Sequence, residues 1–232
     1  MTPKQIAVSL HRQRSRPHKK NPGRINYNEI TRNCQERFTL ACAVGMHTCS
    51  AHNMRKIVVL GPESTGKSTL CQQLASHYNT SWCPEFAREF LKESQGKYSF
   101  DDLLNIAQGQ LELEDTLLTE ARNGFYFIDT DMYVMKVWCE VVFQQCHTWI
   151  LKQIAMRQYD FYFLCFPDLP WVKDELREYP DPHIRKKLYN TYKDIVVNSG
   201  TPWAEISGQG MERFQVAVQI LNTVFPVNKV TG

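Results

Sequence analysis

The stretch Gly61-Pro62-Glu63-Ser64-Thr65-Gly66-Lys67-Ser68, followed by Thr69, carries the most specific chemistry in the chain. It fits G-x-x-x-x-G-K-[ST] at every fixed position, the pattern of a loop that wraps phosphate groups. In such a loop, backbone N–H groups and a helix N-terminus point at the anion, and small residues let the backbone approach closely. Lys67 would neutralise the β- and γ-phosphates, and the Ser68 hydroxyl suits a Mg²⁺ ion. The residues expected around a nucleoside triphosphate are therefore Gly61, Pro62, Glu63, Ser64, Thr65, Gly66, Lys67, Ser68 and Thr69.

Acidic residues stand where two further strands are expected to end, which in an open α/β sheet is where ligands bind. Asp129 follows Phe125–Ile128 and suits either a metal-holding carboxylate or the N-cap of the next helix. Asp131 suits capping or substrate contact. Glu85 follows a short second strand, and a carboxylate there can take the proton of an attacking hydroxyl. Arg88, three residues on, reads as a phosphate or substrate contact, or as one half of a surface ion pair.

The elements that must hold these groups are legible as alternating strands and helices. Lys56–Leu60 is a β-branched run suited to a central parallel strand, and Thr69–Tyr78 has amphipathic helical spacing. Thr80–Cys83 is a short strand and Glu85–Glu93 a helix. Ser99, with an acid at Asp102, caps a long helix running to Arg122. Phe125–Ile128 is the third strand, followed by helix to about Gln145 and again from Thr148 to Arg157. Asp160–Phe166 is the fourth strand; Ile184–Val197 a helix; Trp203–Ile206 the fifth strand; Met211–Thr223 the last helix. The expected fold is α/β: a P-loop NTPase fold with a mostly parallel five-stranded sheet, helices on both faces and a short lid segment.

Composition sets the outer limits. The chain has 232 residues, 43% hydrophobic and 22% charged, a profile of a folded domain. No apolar run reaches the roughly 18–20 residues of a membrane span. The net charge of +3 averages two unlike parts. Residues 1–53 carry nine Lys or Arg against two Glu, a net of +7, which leaves −4 for the remainder. The globular part, residues 54–232, is therefore not expected to bind nucleic acid. Residues 1–53 form a basic N-terminal extension expected to be disordered, because it cannot bury enough apolar surface to offset its ordering entropy. Met54 immediately precedes the first strand and is the expected natural start. The eight cysteines include no C-x-x-C pair and read as free thiols of a cytoplasmic protein. Cys42, His47, Cys49 and His52 match no common zinc-ligand spacing.

Four blocks in series resemble the ribosylnicotinamide kinase domain of NadR-type proteins, within a nucleoside-kinase-like P-loop group also described as AAA-type ATPase-like. They are Gly61–Thr69, Pro84-Glu85-Phe86-Ala87-Arg88-Glu89-Phe90, Phe127-Ile128-Asp129-Thr130-Asp131 and Trp171-Val172-Lys173-Asp174-Glu175-Leu176-Arg177. The resemblance covers residues 55–223. It implies ATP and Mg²⁺ as cofactors and a small nucleoside as substrate, with phosphorylation of nicotinamide riboside at its 5′-hydroxyl to give nicotinamide mononucleotide for NAD synthesis. It further implies Lys67, Glu85 and Asp129 as catalytic residues, with Glu85 the base. Ser68 and Asp129 would hold the metal, and Glu85, Arg88 and Asp131 would lie at the acceptor. Arg177 would be a lid contact to the phosphates, with Arg185 in the same charged segment.

The resemblance is incomplete. NadR-type proteins often carry an adenylyltransferase domain ahead of the kinase, and residues 1–53 are too short for one. The lid block commonly has Asp-Gly where this chain has Asp174-Glu175. Trp82, Tyr133 and Trp138 are the candidate aromatic partners of the nicotinamide ring. Two other readings remain open at this stage: a kinase of another nucleoside, and an ATPase switch acting on a protein partner.

Overall fold

A computed structural model of the chain describes residues 54–173 and 179–226. The basic extension, the Cys42–His52 cluster and Arg177 lie outside the described residues.

The central strand β1 (Arg55–Leu60) is apolar along its length because it is covered on both faces; Ile57, Val58, Val59 and Leu60 have no exposed surface. It is flanked by β3 (Phe125–Asp129) on one side and β4 (Phe161–Cys165) on the other, both buried at every position. The two-residue β2 (Trp82–Cys83) and β5 (Trp203–Ile206) form the edges. The order is β2-β3-β1-β4-β5 and every pairing is parallel, as the alternation of strands and helices requires.

Helices cover both faces. On one, α1 (Lys67–Tyr78) and α7 (Met211–Val224) pack Leu70, Leu74, Ala217 and Leu221 onto Ile57, Val59, Phe127 and Phe163. On the other, α4 (Met132–Phe143) and α6 (Pro182–Asn198) set Val137, Leu188, Tyr192 and Val196 against Val58, Leu60, Ile128 and Leu164. The remaining helices, α2 (Ala87–Glu93), α3 (Phe100–Leu118) and α5 (Thr148–Met156), build a satellite core with α4 around Leu103, Ile106, Met135 and Ile150.

This topology places a switch point between β1 and β3. The chain leaves β1 toward one edge and later crosses to β4 and the other edge, so a crevice opens at the carboxyl ends of β1 and β3. The glycine loop leaves β1 there, and Asp129 ends β3 beside it.

Among the boundaries that differ from expectation, three do so for clear local reasons. The first helix begins at Lys67, because the left-handed backbone of Gly66 (φ 75°) turns the chain into it. The long helix ends at Leu118; Thr119, Glu120 and Ala121 instead donate to the carbonyls three residues back, a tighter turn. Glu85 is not helical. Helix α2 starts only at Ala87, so Glu85 lies in the segment joining β2 to α2.

The N-terminus of α3 has the expected capping box: Ser99 accepts from Asp102 N–H, and Asp102 accepts from Ser99 N–H. Ser99→Ala should lower folding stability by about 1 kcal/mol. Urea unfolding would read this as a lower midpoint at an unchanged slope.

Candidate active site

The phosphate loop is held from outside by its own carbonyls. Pro62 O accepts from Thr65 Oγ1 at 2.7 Å and from Lys67 Nζ at 3.0 Å. Ser64 O accepts from Arg185 Nη2 at 3.1 Å, and Thr65 O from Arg213 Nη1 at 2.8 Å. A peptide whose C=O is turned outward presents its N–H inward, the polarity an anion needs. The turn requires positive φ at Ser64 (55°) and Gly66 (75°). Gly61 must be glycine for two reasons: its φ is 144°, and a Cβ there would lie 2.7 Å from Cys165 O.

Arg213 ties this loop to its neighbours. Its guanidinium also donates to Phe166 O at 2.8 Å and Gly208 O at 2.7 Å, and pairs with the Asp168 carboxylate. The loops after β1, β4 and β5 thus share one buried cation. Arg185 likewise bridges to Leu169 O at 3.2 Å. The Glu63 carboxylate accepts from Trp171 Nε1 at 3.0 Å and Tyr179 N–H at 2.6 Å, joining the loop to both sides of the charged segment.

Ser68 and Asp129 meet across the β1–β3 crevice, with Ser68 Oγ donating to Asp129 Oδ2 at 2.5 Å. Asp129 is fully buried, and its Oδ1 has no hydrogen-bond partner among the described residues. Burial pushes its pKa up to about 7, helped by the nearby Glu85 charge and opposed by Lys67 and the Ser68 bond. A buried carboxylate oxygen with no donor, next to a hydroxyl, fits a small divalent cation: such an ion takes oxygen ligands and supplies the missing positive charge.

Glu85 and Arg88 line the same cleft of about 590 Å³, together with the loop, Asp129, Trp82, Trp138, Tyr179 and Tyr192. Arg88 Nε stands 3.8 Å from Glu85 Oε2, so the two form a half-exposed ion pair at the cleft wall. Of the three aromatic candidates, Trp82 and Trp138 line this cleft, and Tyr133 lines a second cavity.

Asp131 is not brought to the phosphate cleft. Its Oδ1 accepts from Tyr133 N–H at 2.9 Å as the cap of α4, and its Oδ2 from Tyr162 OH at 3.0 Å. It faces the second cavity, whose wall includes Tyr159, Arg157 and Pro202. Of the two roles open to it from the sequence, the geometry fits capping.

Sequence reasoning missed Arg213, and gave Arg185 only a place in the lid. Arg213 did leave a signal. A cation in the first turn of a helix opposes the macrodipole, so its presence there calls for a partner elsewhere.

A family model described as an AAA domain matches residues 56–213, and the chain belongs to that family. It is also a distant relative of NadR proteins. The trifunctional NAD biosynthesis/regulator protein NadR of Escherichia coli (strain K12) is 27% identical over 173 residues, covering 72% of this chain and 42% of that protein. The protein of the same name from Salmonella typhimurium is 27% identical over 157 residues, covering 66% and 38%. The chain thus spans about two-fifths of the length of these relatives. Among solved structures, a NadR protein in complex with NR superposes with a TM-score of 0.63 at 21% identity, over 76% of this chain and 52% of that one. Thymidylate kinase from Candida albicans superposes with a TM-score of 0.54 at 14% identity, over 74% and 92%. The fold is that of P-loop nucleoside and nucleotide kinases. No helix among the described residues is long and apolar enough to cross a membrane.

The capping role of Asp131 carries a pH dependence. Burial pushes its pKa up to about 7, above the roughly 3.9 of an unfolded chain. The folded state therefore holds this proton more tightly, and the stability it confers is full below about 4, falls as pH rises through about 7 and levels off above that. Asp131→Asn keeps the cap but cannot titrate. Melting at pH 6 and pH 8 should show a smaller stability difference in the variant than in the wild type; an equal difference would contradict this placement.

Proposed function

We propose that this member of the AAA domain family is an ATP-dependent small-molecule kinase, and that its acceptor is nicotinamide riboside, converted to nicotinamide mononucleotide in NAD synthesis. The observation that carries the reading is the convergence on one cleft of the phosphate loop, the Ser68–Asp129 pair and the Glu85–Arg88 pair. The acceptor is suggested by the NadR relatives and by the structure of a NadR protein with NR.

In this reading the inward-facing loop amides hold the triphosphate, and Lys67 leaves Pro62 O to neutralise the transferring group. Ser68 and Asp129 would hold Mg²⁺, which would supply charge neutralisation at the phosphates. Glu85 takes the proton from the acceptor's 5′-hydroxyl as that oxygen bonds to the γ-phosphorus. The bond from the γ-phosphorus to the oxygen bridging the β- and γ-phosphates breaks, and ADP leaves with that oxygen. Arg88 pairs with Glu85 and holds it directed at the cleft, and Arg177 contacts the phosphates from the charged segment. Trp138 and Trp82 offer aromatic faces to the base. Asp131 caps α4 and takes no part in acceptor binding.

The test is ADP release with MgATP across a panel of nucleosides. Nicotinamide riboside should stimulate it most, with little turnover when no nucleoside is added. Equal turnover with and without every nucleoside would leave a hydrolase and end the kinase reading. Glu85→Gln should lower kcat by about 10²–10⁴-fold with ATP binding retained. Lys67→Ala should weaken both ATP binding and transfer.

A further inference from the structure

The base assigned above sits on a segment with no regular structure of its own. Pro84, Glu85 and Phe86 join the end of β2 to the start of α2. A catalytic carboxylate must be held to within about half an ångström. From its own segment Glu85 has only a long bond from Arg88 N–H to its carbonyl at 3.3 Å and the 3.8 Å ion pair to the same residue, so support from outside the segment matters.

One side chain meets the peptide groups on both sides of Glu85. Gln110, on α3, is 2% exposed. Its Oε1 accepts from Phe86 N–H at 2.8 Å, in the peptide that follows Glu85. Its Nε2 donates to Pro84 O at 3.3 Å, in the peptide that precedes Glu85, and to Cys83 Sγ at 3.2 Å. A single buried amide thus fixes both peptide planes that set the Glu85 backbone. Glutamine suits the site because it carries an acceptor and a donor on one planar group at that reach.

The neighbouring residue completes the support. Gly109 lies beneath the Phe86 ring, and a Cβ there would fall 2.3 Å from Phe86 Cε1. The missing side chain lets Phe86 sit down on α3, which brings its N–H to Gln110. Gly109 and Gln110 form one device, a bare patch and an amide on the same helix turn.

We propose that Gln110 is a positioning residue for the Glu85 base, acting through the Pro84 and Phe86 peptide groups, with Gly109 as the seat for Phe86. This rests on the kinase reading above and on Glu85 as its base. The effect belongs to the chemical step, not to triphosphate binding, because neither residue touches the phosphate loop.

Gln110→Met keeps the length and loses both bonds; Gly109→Ala displaces Phe86 and leaves Gln110 intact. With the full-length chain, MgATP and the best nucleoside of the panel, each should lower kcat about 10–100-fold while KM for ATP stays within about twofold. The decisive arm is each variant combined with Glu85→Gln. If Gln110 acts through Glu85, the double variant should be little slower than Glu85→Gln alone. Losses that multiply would mean general structural damage and overturn the proposal, as would a near-normal kcat in both single variants. If the Gln110→Met chain does not fold, Gln110→Asn, which keeps the amide and shortens its reach, takes its place with the same expected and overturning results. Wild type measured in parallel separates the two claims: no stimulation by any nucleoside sinks the kinase reading and this inference with it. An active wild type with unaffected variants sinks only the inference.

Discussion

A loop that binds phosphate must turn its carbonyl dipoles away from the anion, and most of what surrounds the crevice follows from that constraint. The carbonyls of Pro62, Ser64 and Thr65 are taken by Lys67, Arg185 and Arg213. Arg185 and Arg213 therefore sit behind the loop while Lys67 lines the cleft, and all three reinforce the positive field that its amides create. Arg213 could not do this alone on an exposed surface. It is buried because it also ties down the loops after β4 and β5, and its charge is balanced by Asp168. The floor of the crevice is one connected polar network, and the all-parallel order of the sheet brings its parts to one end.

Two buried aspartates, two residues apart, illustrate how that frame assigns roles. Both are driven toward the neutral form by burial. Asp131 has both oxygens supplied with donors from α4 and β4, so it is complete as it stands. Asp129 has one oxygen bonded to Ser68 and one with no partner among the described residues, beside Lys67 and the phosphate loop. The same residue type at the end of the same strand is thus a structural cap in one place and a ligand-ready group in the other.

What was legible in the sequence was what local chemistry dictates. The glycine loop, the β-branched run of β1, the Ser99–Asp102 box and the alternation of strands and helices depend on neighbours a few residues away. The five parallel strands followed from that alternation. The partners of Arg213 and Gln110 were not legible, because Arg213 meets Thr65 across 148 residues and Gln110 meets Phe86 across 24. A first-turn cation at position 213 signals that a partner exists, but nothing in the spacing says which one. Glu85–Glu93 reads as helix because Phe86, Phe90 and Leu91 fall on one side, but the helix opens only at Ala87, with Phe86 as its N-cap and the Phe86 N–H taken by Gln110 Oε1. The direction of Asp131 was undecidable from sequence, since a cap and a substrate contact share residue type and position.

The central claim is that phosphate passes from ATP to a nucleoside hydroxyl at this crevice. The most direct measurement is the product itself: phosphorus NMR of a reaction containing the protein, MgATP and nicotinamide riboside. The account predicts a phosphomonoester of the nucleoside forming in step with ADP, one for one. ADP accompanied only by inorganic phosphate, whatever nucleoside is present, would contradict it.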